Sequence, residues 1–135
     1  MYKYRIYEYN EDGESTIKRW LRNENITQRD RGQLTQNMDM PATMGLEAPQ
    51  LAGPISSKRN RKMQSHIYKL IVHGQRMLRP MLCKGPIKMD EEFTFLIGAL
   101  EKGNILDRDA EEAETRRKEV VADPQRKRML NGRYS

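Results

Sequence analysis

The sequence predicts one α+β domain with its secondary structure in the order β-α-α-β-β-β-α. Three observations support this prediction. Residues 2–9 alternate between aromatic or aliphatic and polar side chains, which is typical of a strand with one buried face. Residues 15–40 place apolar side chains at helical spacing in two short runs. Residues 67–83 and 93–100 are rich in aliphatic and aromatic side chains, as are the strands of a sheet.

Two short helices are expected to form a hairpin after the first strand. Ser15 can cap the first helix, whose apolar face includes Trp20, so the single tryptophan is expected in the core. Thr27 begins a stretch that resembles a capping box, and Leu34 would face the core in the second helix. Pro41 is expected to limit that helix, because proline lacks a backbone N–H.

Three strands are expected in the second half of the chain. Residues 67–72 and 77–83 would pair around a turn at 73–76. Pro80 requires a bulge or an edge position, because proline cannot donate to a ladder. Residues 93–100 are almost wholly apolar, which predicts a central strand buried on both faces.

The chain is expected to close with one helix and a basic tail. Asp107 can begin this helix, and acidic residues in its first turns favour the positive end of the helix dipole. Pro124 would end it, so residues 1–123 are predicted to form the domain and residues 124–135 a basic, flexible tail. Residues 41–57, with three prolines and two glycines, are predicted to form a long loop.

Composition excludes several classes of protein. A single cysteine cannot form an intramolecular disulfide and offers no zinc-ligand spacing, which suits a reducing compartment. No apolar run approaches the ~20 residues of a membrane span, and the alternating N-terminus does not resemble a signal peptide. We therefore expect a cytoplasmic protein without membrane contact, metal site or cofactor.

Positive charge is concentrated in one segment. Residues 48–89 hold nine Lys and Arg and no Asp or Glu, whereas residues 90–123 hold five cations and eleven anions. Such a block predicts a positive surface that attracts polyanions, here RNA, although a merely solvated basic loop is the alternative. The candidate RNA-binding side chains are Lys58, Arg59, Arg61, Lys62, His66, Arg76, Lys84 and Lys88.

Cleavage of RNA by its own 2′-hydroxyl group is a reaction that suits a basic surface without carboxylates. The substrate supplies the nucleophile, so the protein needs only groups that move protons and stabilise the phosphorane. Lys69 and His73 fall on one face of the predicted hairpin and could exchange protons, while Arg79 could hold the phosphate. A surface or hydrogen-bonding role is the alternative for each histidine, and Cys83 is expected to be a buried structural thiol.

The hairpin and the last strand resemble the RelE/ParE/HigB toxin superfamily, and its phage-derived HigB-like branch most closely. The resemblance rests on residues 67–72, on Arg79 and on the strand 93–100 with residues 101–103 (Glu-Lys-Gly), and it extends over about residues 2–122. It implies a small curved antiparallel sheet with helices packed on one side. It also implies a toxin that cuts messenger RNA in the ribosomal A site or inhibits gyrase, neutralised by a helix-turn-helix antitoxin.

The resemblance assigns family roles to individual residues. Lys69 matches the lysine that opens the second strand of RelE-type members, Arg79 the arginine that contacts the scissile phosphate, and Lys102 the basic residue after the last strand. Ile71 and Glu101 stand where the family often has a cation. The implied catalytic set is Lys69, Arg79, His73 and Lys102.

The sequence leaves more than one function open. The first is a ribosome-dependent mRNA interferase that uses the surface of Lys69 and Arg79 and needs no metal. The second is a non-enzymatic protein of the same fold, phage-encoded or bacterial, that binds a host macromolecule such as DNA gyrase or the ribosome. The departures at Ile71 and Glu101 favour this second function. The third is a nucleic-acid-binding accessory without toxicity, supported by the basic tail.

Overall fold

The computed structural model describes residues 4–11, 13–45, 55–56, 66–101 and 106–129 of the chain. Its strands are β1 (Arg5–Tyr9), β2 (Ile55–Ser56), β3 (Ile67–Leu70), β4 (Val72–His73), β5 (Met77–Leu78), β6 (Met81–Lys84), β7 (Glu92–Ile97) and β8 (Lys127–Met129). Its helices are α1 (Thr16–Asn23), α2 (Gln28–Met44) and α3 (Asp107–Ala122), and a short 3-10 helix spans Pro124–Arg126.

Six strands form the main sheet in the order β2-β3-β6-β7-β1-β8, and β4 and β5 form a separate two-stranded sheet. Neighbours in the main sheet are antiparallel except β1 and β7, which run parallel. The α+β class and a mostly antiparallel sheet are therefore confirmed. The predicted element order is incomplete, because it lacks β2 and β8 and does not divide the hairpin strands. Of the predicted loop 41–57, residues 46–54 and 57 lie outside the described residues.

Two apolar clusters lie on opposite faces of the main sheet. One cluster contains the buried residues of α1 and α2 together with Leu82 and Phe93. The other contains Cys83 and Leu96 together with Ala110 of α3. Because the neighbours Leu82 and Cys83 point to opposite faces of β6, α3 covers the face that α1 and α2 leave open. The expectation from the resemblance that helices pack on one side of the sheet is therefore wrong. The prediction that β7 is central and buried on both faces is confirmed.

Pro80 lies between β5 and β6, where the predicted second strand of the hairpin is interrupted. The register of β6 against β7 shifts between Met81 and Leu82, so the irregularity predicted from Pro80 is confirmed. At this interruption the N–H of Arg79 donates to the carbonyl of Ala99 at 2.8 Å. This local break places Arg79 beside the residues that follow β7.

α2 continues through Pro41 to Met44, so the predicted end of this helix is wrong. A proline removes one helical hydrogen bond, but here it is buried together with Ala42. The N–H of Tyr4 donates to Ala42 O at 2.8 Å, and the N–H of Gly45 donates to Pro41 O at 2.9 Å. Burial and these two bonds offset the bond that proline cannot make.

The first part of the predicted flexible tail has regular structure. After the 3-10 helix, β8 pairs antiparallel with β1. Lys127 Nζ lies 2.6 Å from Glu92 Oε2, and the side chain of Glu92 is only 2 % exposed. Residues 124–129 of the predicted tail thus form a 3-10 helix and a strand, and a basic side chain there contacts a buried acidic partner on a distant strand. Residues 130–135 lie outside the described residues.

Candidate functional site

Lys69 and Arg79, the residues matched to the catalytic pair of the resemblance, meet at one carboxylate. Lys69 Nζ lies 2.8 Å from Glu101 Oε1, and Arg79 Nε lies 3.2 Å from Glu101 Oε2. The Nη1 group of Arg79 also donates to the carbonyls of Leu78 at 2.8 Å and Val72 at 3.3 Å. We call Lys69, Arg79 and Glu101 the buried ion cluster.

Backbone pairing brings these three residues together. Lys69 lies in β3, which pairs with β6 and therefore runs close to the segment that precedes β6. In that segment, the N–H of Arg79 donates to Ala99 O at 2.8 Å, and the N–H of Glu101 donates to Met77 O at 3.0 Å. The chain after β7 is thereby fixed with Glu101 between the two cations.

The buried ion cluster has little contact with solvent. Lys69 is 8 % exposed and Arg79 only 3 %, while the side chain of Glu101 is 20 % exposed. Burial alone would raise the pKa of Glu101, but the hydrogen bond and charge of Lys69, followed by those of Arg79, hold that pKa below its usual value. Glu101 is thus an anion that pairs with both cations and leaves the cluster with a net charge of +1. In the sequence it stood out only as a departure from the family pattern.

The stability of the fold should depend on the ionisation of Glu101. Its folded pKa lies below the ordinary value of 4.5, so its contribution to the free energy of unfolding is complete above that value and is lost as the pH falls through the folded pKa. We expect the stability difference between wild type and Glu101→Gln, measured by urea denaturation, to be largest near neutral pH and to shrink as the pH falls below 4.5. A difference that stays constant with pH would contradict this expectation.

The other described cations of the segment 48–89 also have acidic neighbours. The pairs are Arg76–Glu24 at 2.8 Å, Lys84–Asp90 at 3.4 Å and Lys88–Glu91 at 3.7 Å, and the candidate His66 likewise contacts Glu114. All these acids come from outside the segment, so the fold removes much of the charge segregation of the sequence. The remaining candidates lie outside the described residues; they are Lys58, Arg59, Arg61, Lys62 and Lys102.

His73 does not join the buried ion cluster. It is exposed in β4 and lines a separate concavity of about 400 Å³ with Arg29, Asp30 and Gln33 of α2. The predicted strand 67–72, which leads from Lys69 towards His73 in the hairpin, is interrupted after Leu70. Because of this interruption, the structure does not bring the two proposed proton-transfer groups to one site.

A groove beside Trp20 was not predicted from the sequence. Two concavities of about 370 and 270 Å³ share Trp20, Glu24 and Gly98 in their linings. The larger one is also lined by two arginines and a further carboxylate. The Trp20 groove is defined by Trp20, Glu24, Arg76, Gly98, Arg108 and Asp109.

Trp20 lies at the margin of the core and not in its interior. The indole packs against the apolar cluster of α1 and α2 but is only partly buried. It lies directly over Gly98, where a Cβ atom would be 1.9 Å from Cδ2 of the ring. Any side chain at position 98 would displace the indole. The glycine within the apolar run 93–100 is a signal that could have indicated this close approach.

Cys83 is buried in β6, and burial raises the pKa of its thiol to about 12. The thiol therefore stays protonated and is a poor nucleophile, in keeping with the structural role predicted for it. Within the described ranges, no group of three or more His, Cys, Asp and Glu side chains could hold a metal ion.

No family model matches this chain, and no curated protein and no solved structure matches it either. The resemblance to the RelE/ParE/HigB superfamily therefore stays a prediction that rests on the residues quoted for it. None of the three described helices has the length and apolar composition needed to cross a membrane.

Proposed function

We propose that the protein is a toxin-type inhibitor that binds a host macromolecule, such as the ribosome or DNA gyrase, without cutting RNA. One observation supports this choice above the others: Lys69 and Arg79 are buried and already paired with the carboxylate of Glu101. A nuclease that works without metal needs donors free to stabilise charge at the scissile phosphate. Here both candidate groups are buried and held on Glu101, and Arg79 also on backbone carbonyls.

RNA would have to displace Glu101 to reach the two cations. Displacement would leave the carboxylate without its partners and would require opening a site in which Arg79 is 3 % exposed. Breaking a buried ion pair by removing one partner costs about 3–5 kcal/mol, so a phosphate would have to offset a cost of that order before any chemistry. A protein that inhibits by binding alone meets no such barrier.

A ribosome-dependent mRNA interferase is the second candidate, and the geometry of the same cluster favours it. Lys69 and Arg79 converge on the two oxygens of one carboxylate, an arrangement that would also suit two phosphate oxygens. In this mechanism Glu101 would move aside on the ribosome and Arg79 would hold the scissile phosphate. Lys69, as the neutral amine, would accept the proton of the 2′-hydroxyl group while its oxygen bonds to phosphorus and the bond to the 5′-oxygen breaks.

Expression of a triple variant separates the two functions. We choose Lys69→Met, Arg79→Met and Glu101→Met together, because replacing a whole buried ion cluster with apolar side chains of similar size preserves a fold better than removing one member. If inhibition is non-enzymatic, wild type and triple variant should arrest bacterial growth equally, and transcripts should remain intact. If the protein is an interferase, wild type should produce A-site cuts, and the triple variant should produce neither cuts nor arrest.

Lys118→Met is the control, since Lys118 is an exposed cation of α3 outside the buried ion cluster, and it should behave as wild type. Circular dichroism and thermal unfolding would first verify that the triple variant is folded. Cuts that disappear in the triple variant would overturn the proposal in favour of the interferase. Absence of growth arrest for the wild type would overturn it in favour of a non-toxic nucleic-acid-binding accessory.

The proposal implies a second partner, a helix-turn-helix antitoxin. We expect a small helix-turn-helix protein to be encoded beside the gene; its coexpression should restore growth, and the two proteins should purify as one complex. An unrelated helix-turn-helix protein serves as the control, and a specific antitoxin would be contradicted if this control restored growth equally well.

A further inference from the structure

We propose that the Trp20 groove binds a nucleotide, with the base stacked on the indole of Trp20 and the phosphate held by Arg108 and Arg76. The site is separate from the buried ion cluster, because it shares no residue with Lys69, Arg79 or Glu101. It therefore does not depend on whether inhibition is enzymatic.

The position of Trp20 provides the stacking surface. The ring is held in place by Gly98, over which it lies so closely that even a methyl group at position 98 would collide with it. It is nevertheless only partly buried, and it lines both concavities of the groove. Aromatic side chains held in this way bind the π-face of a base with little dependence on its identity.

Two arginines lie on the same groove and differ in how they are held. Arg108 is exposed and forms no ion pair or hydrogen bond with the residues that the structure describes, so its guanidinium is available to an anion. Arg76 donates to the backbone and side-chain oxygens of Glu24 at 2.7 and 2.8 Å. Because a guanidinium has five N–H donors, Arg76 keeps others for a phosphate oxygen.

The carboxylates of the groove favour a nucleobase over a ligand that carries several negative charges, such as an acidic peptide. Asp109 lies beside Arg108, and burial raises its pKa while the charge of Arg108 lowers it. Together with Glu24 it offers acceptors for the amino and imino N–H groups of a base edge. An acidic peptide would meet these same carboxylates along its whole length and would be repelled. A ligand with one phosphate and a ring that carries N–H groups matches both the arginines and the carboxylates of the groove.

The dimensions of the groove agree with such a ligand. Its larger concavity, about 370 Å³, falls within the range of roughly 300–1,000 Å³ that is typical of small-molecule sites. The nucleotide could be free or could belong to a single RNA strand that passes along the groove. The chemistry of recognition is the same for both, and the experiment distinguishes them.

Fluorescence of the protein reports directly on this site, because Trp20 is the only tryptophan in the chain. The full-length protein would be titrated with the four ribonucleoside 5′-monophosphates and with a single-stranded RNA hexamer. Ribose 5-phosphate, which has a phosphate but no base, is the control ligand. We expect saturable quenching by nucleotides or by the RNA, and none by ribose 5-phosphate.

Two pairs of variants test the roles of the residues. Arg108→Gln should weaken binding at least about 10-fold, since it removes a charged hydrogen-bond donor, whereas Lys118→Gln removes the same charge elsewhere on α3 and should have no effect. Trp20→Ala should weaken binding about 5- to 150-fold by calorimetry, and Trp20→Phe, which keeps an aromatic ring, should weaken it less.

Equal affinity for monophosphate and hexamer would identify a free-nucleotide site, and tighter binding of the hexamer would identify a strand-binding site. Both results would support the proposal. Quenching by neither ligand would overturn it. Equal weakening by Arg108→Gln and Lys118→Gln would also overturn it, because binding would then reflect general attraction to a basic protein. Growth arrest by the Trp20→Phe and Arg108→Gln variants is measured separately. If the protein binds no nucleotide, the proposed inhibition of a host macromolecule is therefore unaffected.

Discussion

The Glu101→Gln variant is expected to lose about 3 kcal/mol of unfolding free energy at neutral pH. Glutamine keeps the shape of the side chain but removes the negative charge that Lys69 and Arg79 both contact. The effect on Arg79 should be the larger, because at 3 % exposure water cannot replace the lost partner. Urea denaturation measures the loss as a lower midpoint with an unchanged slope.

Glu91→Gln is the matched control for this prediction. This substitution also removes the carboxylate of an ion pair, here with Lys88. Because that pair is exposed and 3.7 Å apart, the loss of unfolding free energy should be less than about 0.5 kcal/mol. The Lys69→Met/Arg79→Met/Glu101→Met variant should be more stable than Glu101→Gln, because it leaves no buried charge without a partner. Equal losses from the two Glu→Gln changes would show that the cluster is solvated, which would remove the main support for non-enzymatic inhibition.

Counting charges along the chain located the cations correctly but could not locate their partners. Every described cation of residues 48–89 has an acidic neighbour, and none of those acids belongs to the segment itself. Asp90 and Glu91 follow the segment directly, whereas Glu24 and Glu101 lie further away in the chain. Glu24 reaches Arg76 from the end of α1, and Glu101 reaches Arg79 from the residues after β7. Charge segregation in a sequence therefore predicts a charged surface only where tertiary pairing does not bring in the opposite sign.

The parts of the fold that could be predicted are those that depend on local pattern. Period-two alternation identified β1, the apolar run identified β7 as central, and a capping serine identified α1. The parallel pairing of β1 with β7 and the addition of β8 depend on contacts between distant segments, which no local pattern contains. The same holds for α2, where tertiary burial of Pro41 and Ala42 outweighs the preference of proline to end a helix.

In the candidate sites too, features that depend on local pattern were predicted and features that depend on distant contacts were not. The convergence of Lys69 and Arg79 was predicted, since both belong to one hairpin and the family pattern pairs them. Their burial was not predicted, because it depends on Glu101 and on the path of the chain after β7. The Trp20 groove was missed altogether, since an apolar helix face predicts burial and does not show that Gly98 would bring the ring to the margin of the core.

The Lys127→Met variant is expected to lose about 3–5 kcal/mol and to melt roughly 10–20 °C lower than wild type in thermal unfolding. Lys127 Nζ is 2.6 Å from Glu92 Oε2 and 3.9 Å from the centroid of the Tyr7 ring. Methionine preserves the apolar stem of the side chain and removes only the charge. The Glu92 carboxylate, 2 % exposed in a strand buried on both faces, would then have no counter-charge and little access to water.

The double variant Lys127→Met/Glu92→Gln decides how this loss should be interpreted. Removing the orphaned charge as well should restore most of the stability, because the penalty arises from the unpaired carboxylate and not from the missing lysine. Lys118→Met, which removes an exposed lysine from α3, should melt as wild type does. If Lys127→Met also melted as wild type does, residues 124–129 would behave as the flexible tail that their composition predicts. The loss of stability, and its recovery in the double variant, therefore tests whether β8 is an integral edge of the sheet.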